Sequence, residues 1–205
     1  MNTVVFGTQR ENRICAFIAR YPYVGTSILQ RIFFPFPSGQ RKARQVLRRL
    51  ESKKLVKRFK HGEYIYHIEP KTRQWAHTKA VTDFHFELMF SLERPDDILY
   101  YKREFEYGYG RADALYIVRV GSGGIKFFLE MDDEGNEFDK VPKYEEYFKS
   151  GLWQREFFAD PLKNGRVSFP VVLVVTEREI PASEVVTVRT CRKGDNYLEV
   201  LLSGK

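Results

Sequence analysis

Charge is split along this chain, and that split is what most restricts the ways it can fold. Residues 1–80 hold 17 Lys/Arg against 4 Asp/Glu, and residues 81–205 hold 17 against 23, which gives net charges of +13 and −6 within a total of +7. The separation predicts a basic module that faces a polyanion, followed by a second module with a different task. With 205 residues, 43% of them hydrophobic and 15% aromatic, the chain can bury two modest cores. The expected domains are residues 1–72 and 73–205.

Three short apolar-periodic segments occupy the first 52 residues. Ile14, Phe17, Ile18 and Tyr21 fall at helical spacing and stop before Pro22. Ile28, Leu29, Ile32 and Phe33 share a face after the expected N-cap Thr26, and Pro35-Phe36-Pro37 ends that segment. Ser38 is the expected cap of a third helix, in which Ala43, Val46, Leu47 and Leu50 form the inward stripe. At about 100° per residue the opposite side then carries Arg41, Arg44, Gln45 and Arg48. Leu55–Lys60 and Glu63–Ile68, joined through His61-Gly62, read as a two-stranded hairpin.

Three helices and a basic hairpin resemble a winged helix-turn-helix, a resemblance carried by the run from Val46-Leu47-Arg48-Arg49-Leu50 into Leu55-Val56-Lys57-Arg58. The ligand this implies is double-stranded DNA. A helix fits the major groove, arginine bonds bidentately to guanine edges, and wing lysines neutralise phosphates. The candidate DNA-binding residues are Ser38, Gln40, Arg41, Lys42, Arg44, Gln45 and Arg48 on the third helix, with Lys57, Arg58 and Lys60 on the hairpin. Against this stands the reading of the same row as a solvated helix face, and winged helices also serve as protein-interaction modules.

In the acidic half, Trp75–Leu92 reads as a long helix with Ala80, Phe84, Leu88 and Met89 on one side. Phe105–Tyr109, Ala112–Val120 and Ile125–Met131 read as consecutive strands, the last two joined through Gly121–Gly124. A helix from about Phe138 to Lys149, an aromatic segment Trp153–Phe158, a buried-type strand Phe169–Thr176 and two short strands at Glu184–Arg189 and Tyr197–Leu202 complete the pattern. The fold class is α+β or α/β, a mixed sheet flanked by helices.

The order helix, three strands, helix, strand resembles the PD-(D/E)XK nuclease-like core. Such a site needs carboxylates from neighbouring strands for a hard divalent cation, Mg²⁺ or Mn²⁺, and a lysine to orient water. Asp113, Glu130 and Asp132 are the candidate metal ligands and, with Lys143, the candidate catalytic residues. Asp132 stands where the motif has lysine, so Lys140 or Lys143 on the next helix is the substitute amine, and the expected site is degenerate. Without catalysis, no cofactor is expected. The plainer reading makes Glu130, Asp132, Asp133 and Glu134 a solvated turn ahead of a helix N-terminus.

The basic winged helix, the His77-bearing helix, Ala112-Asp113-Ala114-Leu115, Phe128-Leu129-Glu130-Met131-Asp132 and Lys143-x-x-x-Tyr147 together resemble the replication-relaxation family of plasmid and mobile-element proteins. The family's glycine-threonine after E-x-D is replaced by Asp133-Glu134-Gly135-Asn136. What the resemblance implies is DNA binding in plasmid replication, relaxation or mobilisation, alongside other replication or mobilisation proteins. An active Mg²⁺-dependent nicking endonuclease and a dimeric winged-helix repressor are the alternative functions.

Other chemistries lack their residues. His61, His67, His77 and His85 form no HxH pair, Gly121–Gly124 lacks the Gly-Lys-Ser/Thr of a phosphate loop, and Cys15 and Cys191 belong to no CxxC. His77 and His85 read as packing residues. The longest apolar run, Phe169–Val175, is too short to span a bilayer, and Met1–Gln9 lacks the pattern of a secretory signal. A cytoplasmic protein with no membrane partner is expected.

Overall fold

The computed structural model describes residues 8–132, 138–159 and 168–203. The chain forms two compact units, Met1–Phe86 and Glu87–Lys205, so the division falls inside the long helix.

In the first unit, α1 (Gln9–Arg20), β1 (Val24–Gly25), α2 (Thr26–Phe33), α3 (Gly39–Ser52), β2 (Lys57–His61) and β3 (Glu63–His67) follow one another. β1, β3 and β2 form a small antiparallel sheet in that order. The stripe of α3 is buried as its spacing predicts, and Ile14, Ile18, Leu29, Ala43, Val46, Leu47 and Leu50 share one core with Val24, Phe34, Val56 and Tyr66, whereas Phe17, Tyr21, Ile28, Ile32 and Phe33 of the α1 and α2 stripes are only half-buried. Each large aliphatic side chain removed from water there contributes about 1.5–3 kcal/mol.

The ends of the helices are set by local chemistry. Thr8 and Glu11 make a capping box at the start of α1. Thr26 is the first residue of α2 rather than its cap; Gly25 is the N-cap, and the Thr26 hydroxyl donates to Tyr64 O at 3.0 Å across the sheet. Ser38 holds the N-cap position of α3 without a side-chain bond to it. Gly39 cannot be replaced cheaply, because a Cβ there would come within 1.9 Å of Phe34 O. The β2–β3 turn needs the left-handed backbone of Gly62, φ +68°.

One carboxylate ties this unit together. Glu11 is 1% exposed and accepts from the Thr8 amide at 3.1 Å, from Arg49 Nε and from Lys53 Nζ at 3.3 Å. Burial by itself would raise its pKa, but Arg49, the Thr8 amide and Lys53 hold the carboxyl below its ordinary value.

The second unit is a five-stranded mixed sheet with order β4-β5-β6-β7-β8, where β4 is Ile98–Tyr107, β5 Gly110–Val120, β6 Gly123–Met131, β7 Val171–Val175 and β8 Val188–Cys191. The first three strands are antiparallel hairpins, and β6, β7 and β8 run parallel. A parallel neighbour requires a crossover, and α5 (Lys140–Ser150) lies in the connection from β6 to β7. On the α5 side the core gathers Leu115, Phe128, Val172 and Val174 with Tyr144, Tyr147, Trp153 and Phe158. The chain is thus α+β, with a mixed sheet and helices in one unit and helices with a small antiparallel sheet in the other.

Three expectations are corrected. Tyr197–Leu202 is a helix, α6, not a strand; Asn196 caps it by accepting from Glu199 N at 3.3 Å. β4 begins seven residues before the expected Phe105, because its first half is an edge strand without apolar alternation. The long helix α4 (Trp75–Ser91) is buried all round from Val81 to Phe86 instead of along one stripe, with Ala80 and Met89 only partly covered. No described helix is long and apolar enough to cross a membrane.

Candidate nucleic-acid interface

α3 rises about 5.4 Å per turn, so residues four apart stack along one side. Gln40, Arg44 and Arg48 are such a column and are exposed. On β2 alternate residues share a face, and Arg58 and Lys60 turn towards that column. These five line one cleft of about 400 Å³ whose third wall is Thr26, Ser27 and Gln30 of α2 and whose far side is Gly62, Glu63, Tyr64 and Tyr66. The cleft lies wholly within the first unit.

The cations in it are not equivalent. Arg58 is engaged: its Nε donates to Glu51 Oε1 at 2.8 Å and its guanidinium stacks 4.2 Å above the Tyr64 ring. It braces the hairpin against the end of α3. Arg44, Arg48 and Lys60 form no ion pair with any described residue. Three cations that make no ion pair with a described residue, brought from two elements to one concave surface, are the arrangement suited to a polyanion.

Of the remaining expected DNA-binding residues, Ser38, Arg41, Lys42, Gln45 and Lys57 are exposed but lie outside the cleft lining. Sequence reading missed Thr26, Ser27, Gln30 and Glu63. Gln30 and Ser27 had a signal, a spacing of three on α2; Glu63 had none, since only the closed hairpin brings it to the head of that helix.

The carboxylates of the second unit are arranged differently. The β5–β6 pairing ends at Ala114↔Leu129, and just beyond it the Asp113 carboxylate accepts the Met131 amide at 2.7 Å. Glu130 is fully buried; it accepts from Tyr144 Oη at 2.6 Å and from Lys140 Nζ, which also lies 3.7 Å from Asp113 Oδ1. Burial first, and the Asp113 charge second, push the Glu130 carboxyl up to about 7 against the opposing pull of Lys140 and Tyr144.

Asp132 does not join them. Two residues along a strand are roughly 6.6 Å apart, and Asp132 is taken by a separate set: Arg178 Nε at 2.7 Å and Nη2 at 2.5 Å, and Thr176 Oγ1 at 2.6 Å. Lys143, the expected catalytic lysine, pairs instead with Asp139 at 2.7 Å; of the two substitute amines weighed, Lys140 is the one at the carboxylates. Asp133, Glu134, Gly135 and Asn136 lie outside the described residues.

The three acids expected as ligands of a divalent cation are divided between two sets of partners. The Lys140 ammonium bridges the carboxylates of Asp113 and Glu130, and Asp132 is held bidentately by a guanidinium. Among the described residues no group of three or more His, Cys, Asp or Glu is placed to hold a metal. What the arrangement does chemically is hold one ammonium between two carboxylates at the start of α5.

Of the histidines, His67 and His85 are buried, His77 is half-buried and His61 is exposed. His85 is 5% exposed and stacks on Tyr21 at 5.1 Å; burial, then the nearby Arg20, lower it to about 4. His67 Nδ1 lies 2.6 Å from Glu69 O.

No family model, no curated protein and no solved structure matches this chain.

Proposed function

We propose that the first unit is a winged helix-turn-helix that binds duplex DNA through the α3–β2 cleft, and that the second is a nuclease-like domain serving as a platform without catalysis. The setting implied by the sequence resemblance is replication, relaxation or mobilisation of a plasmid or mobile element. The observation that carries the reading is the cleft itself, lined by Arg44, Arg48 and Lys60, none of which makes an ion pair with a described residue. Its supporting context is the order α1-β1-α2-α3-β2-β3, in which a helix and a hairpin flank one groove. The absence of catalysis is argued from the Lys140 bridge and the Arg178 clamp, which use the acidic side chains that a metal would need.

One experiment separates the readings. Purified protein is added to supercoiled plasmid with Mg²⁺ or Mn²⁺, beside an EDTA control and the Glu130→Ala protein, and the same samples are run for band retardation. Retarded but intact supercoils, with or without EDTA, are the expected result. Metal-dependent open circles that vanish with Glu130→Ala would overturn the non-catalytic reading, and the absence of any retardation would overturn DNA binding.

A further inference from the structure

The cleft contains one acid, and its position is specific. Glu63, the first residue of β3, accepts the Ser27 amide on Oε2 at 2.8 Å and the Ser27 hydroxyl on Oε1 at 2.9 Å. Ser27 is the second residue of α2, so both donors sit at the positive end of that helix. Room for the carboxylate is provided by Gly25, where a Cβ would stand 2.0 Å from Oε1. The cations Arg44, Arg48 and Lys60 line the same space. Two carboxylate oxygens accepting from a backbone amide and a hydroxyl, inside a basic cleft, reproduce part of the way a phosphate is bound.

We propose that Glu63 is an internal competitor for a phosphodiester group: it holds the Ser27 donors in the free protein, and a phosphate of the bound strand takes them when the carboxylate turns out of the cleft. This rests on the DNA-binding reading above and adds a regulating residue to that site. The exchange replaces one anion by another at the same donors, so it weakens binding to every sequence alike. The surplus positive charge of the unit is thereby kept from gripping random DNA at full strength.

The test compares wild type, Glu63→Gln and Glu69→Gln, the last removing an exposed acid of the same unit with no side-chain bond to a described residue. Affinity for a labelled random-sequence duplex is measured over a salt series. In parallel, the Ser27 amide is followed by NMR as inorganic phosphate is added, and the same spectra report that each variant is folded. Glu63→Gln is expected to bind the duplex about three- to tenfold tighter than wild type with the salt slope unchanged, because the same phosphate contact is made in both. It is also expected to respond at Ser27 to lower phosphate concentrations, while Glu69→Gln does neither to that degree. Duplex binding by wild type with no greater gain in Glu63→Gln than in Glu69→Gln would overturn the proposal. If no protein binds duplex, the DNA reading falls on its own, and the Ser27 titration then decides whether Glu63 guards an anion site.

Discussion

The two units handle charge in opposite ways. In the first, Arg44, Arg48 and Lys60 line a cleft and make no ion pair with a described residue; in the second, Glu130 and Asp113 share Lys140, and Asp132 is clamped by Arg178. An exposed charge costs little to leave unpaired and remains available to a ligand. A buried charge must be matched or neutralised. Cations with no ion pair among the described residues are therefore the ones open to a ligand under the reading proposed above, whereas the paired acids are engaged within the second unit, even though a motif search gives both the same weight.

That contrast can be broken most severely at Lys140. Lys140→Ala strands a fully buried carboxylate beside Asp113, and is expected to lower stability by about 3–5 kcal/mol at pH 7.5, read as a shift in urea midpoint. A loss below about 1 kcal/mol would mean that the cluster is poised for something other than structure.

Next comes pH, to which the units should respond in opposite senses. Glu130 is raised in the fold, so its contribution is full below its ordinary value of 4.5 and is lost as pH rises through about 7. His85 is lowered, so its contribution is full above 6.5 and is lost as pH falls towards 4. Between pH 5 and 7.5, amide exchange corrected for its intrinsic rate should show the second unit loosening by about 1–3 kcal/mol as the first tightens by a similar amount. Glu130→Gln should flatten the first of these slopes. Parallel responses in the two units would refute the assignment.

Of comparable size is the effect of α3 on recognition. Arg44→Ala or Arg48→Ala is expected to cost about 1–3 kcal/mol on a preferred duplex, with less loss on random sequence, if either side chain reads a base edge. The smallest effect belongs to Lys60→Ala, which should weaken binding to all sequences by under about 1 kcal/mol and reduce the salt slope by about one. Equal losses on preferred and random DNA for all three variants would remove α3 as the reading element.

Legibility in the sequence followed the range of the interactions. The inward stripes of α1, α2 and α3 were readable because helical spacing is local, and so was the turn at Gly62. β1 was not, since two residues, Val24 and Gly25, carry no period; they become a strand only by pairing with Tyr66 and Ile65. Tyr197–Leu202 misled because a short apolar run suits either state, although Asn196 followed by Glu199 was a cap signal in plain view. At the site, Arg44 and Arg48 were legible on one helix face, but that face was read with Arg41 and Gln45, whereas the cleft takes Gln40 instead. The Glu63–Ser27 contact spans 36 residues and the Arg178–Asp132 clamp 46, and no local pattern announces either. Lys140 was readable only as one of two amines, because which lysine turns inward depends on where α5 begins.

Glu11 shows how far a terminal residue can reach. It caps α1 and also binds Arg49 and Lys53 at the distal end of α3, closing a loop 38 residues long. Cutting the chain just after this residue would do more than fray the first helix. The last turn of α3 would lose its anchor, and with it the fixed lead into the hairpin whose Lys60 faces the cleft. In an isolated fragment of the first unit, the starting residue would therefore set how rigidly the hairpin is presented.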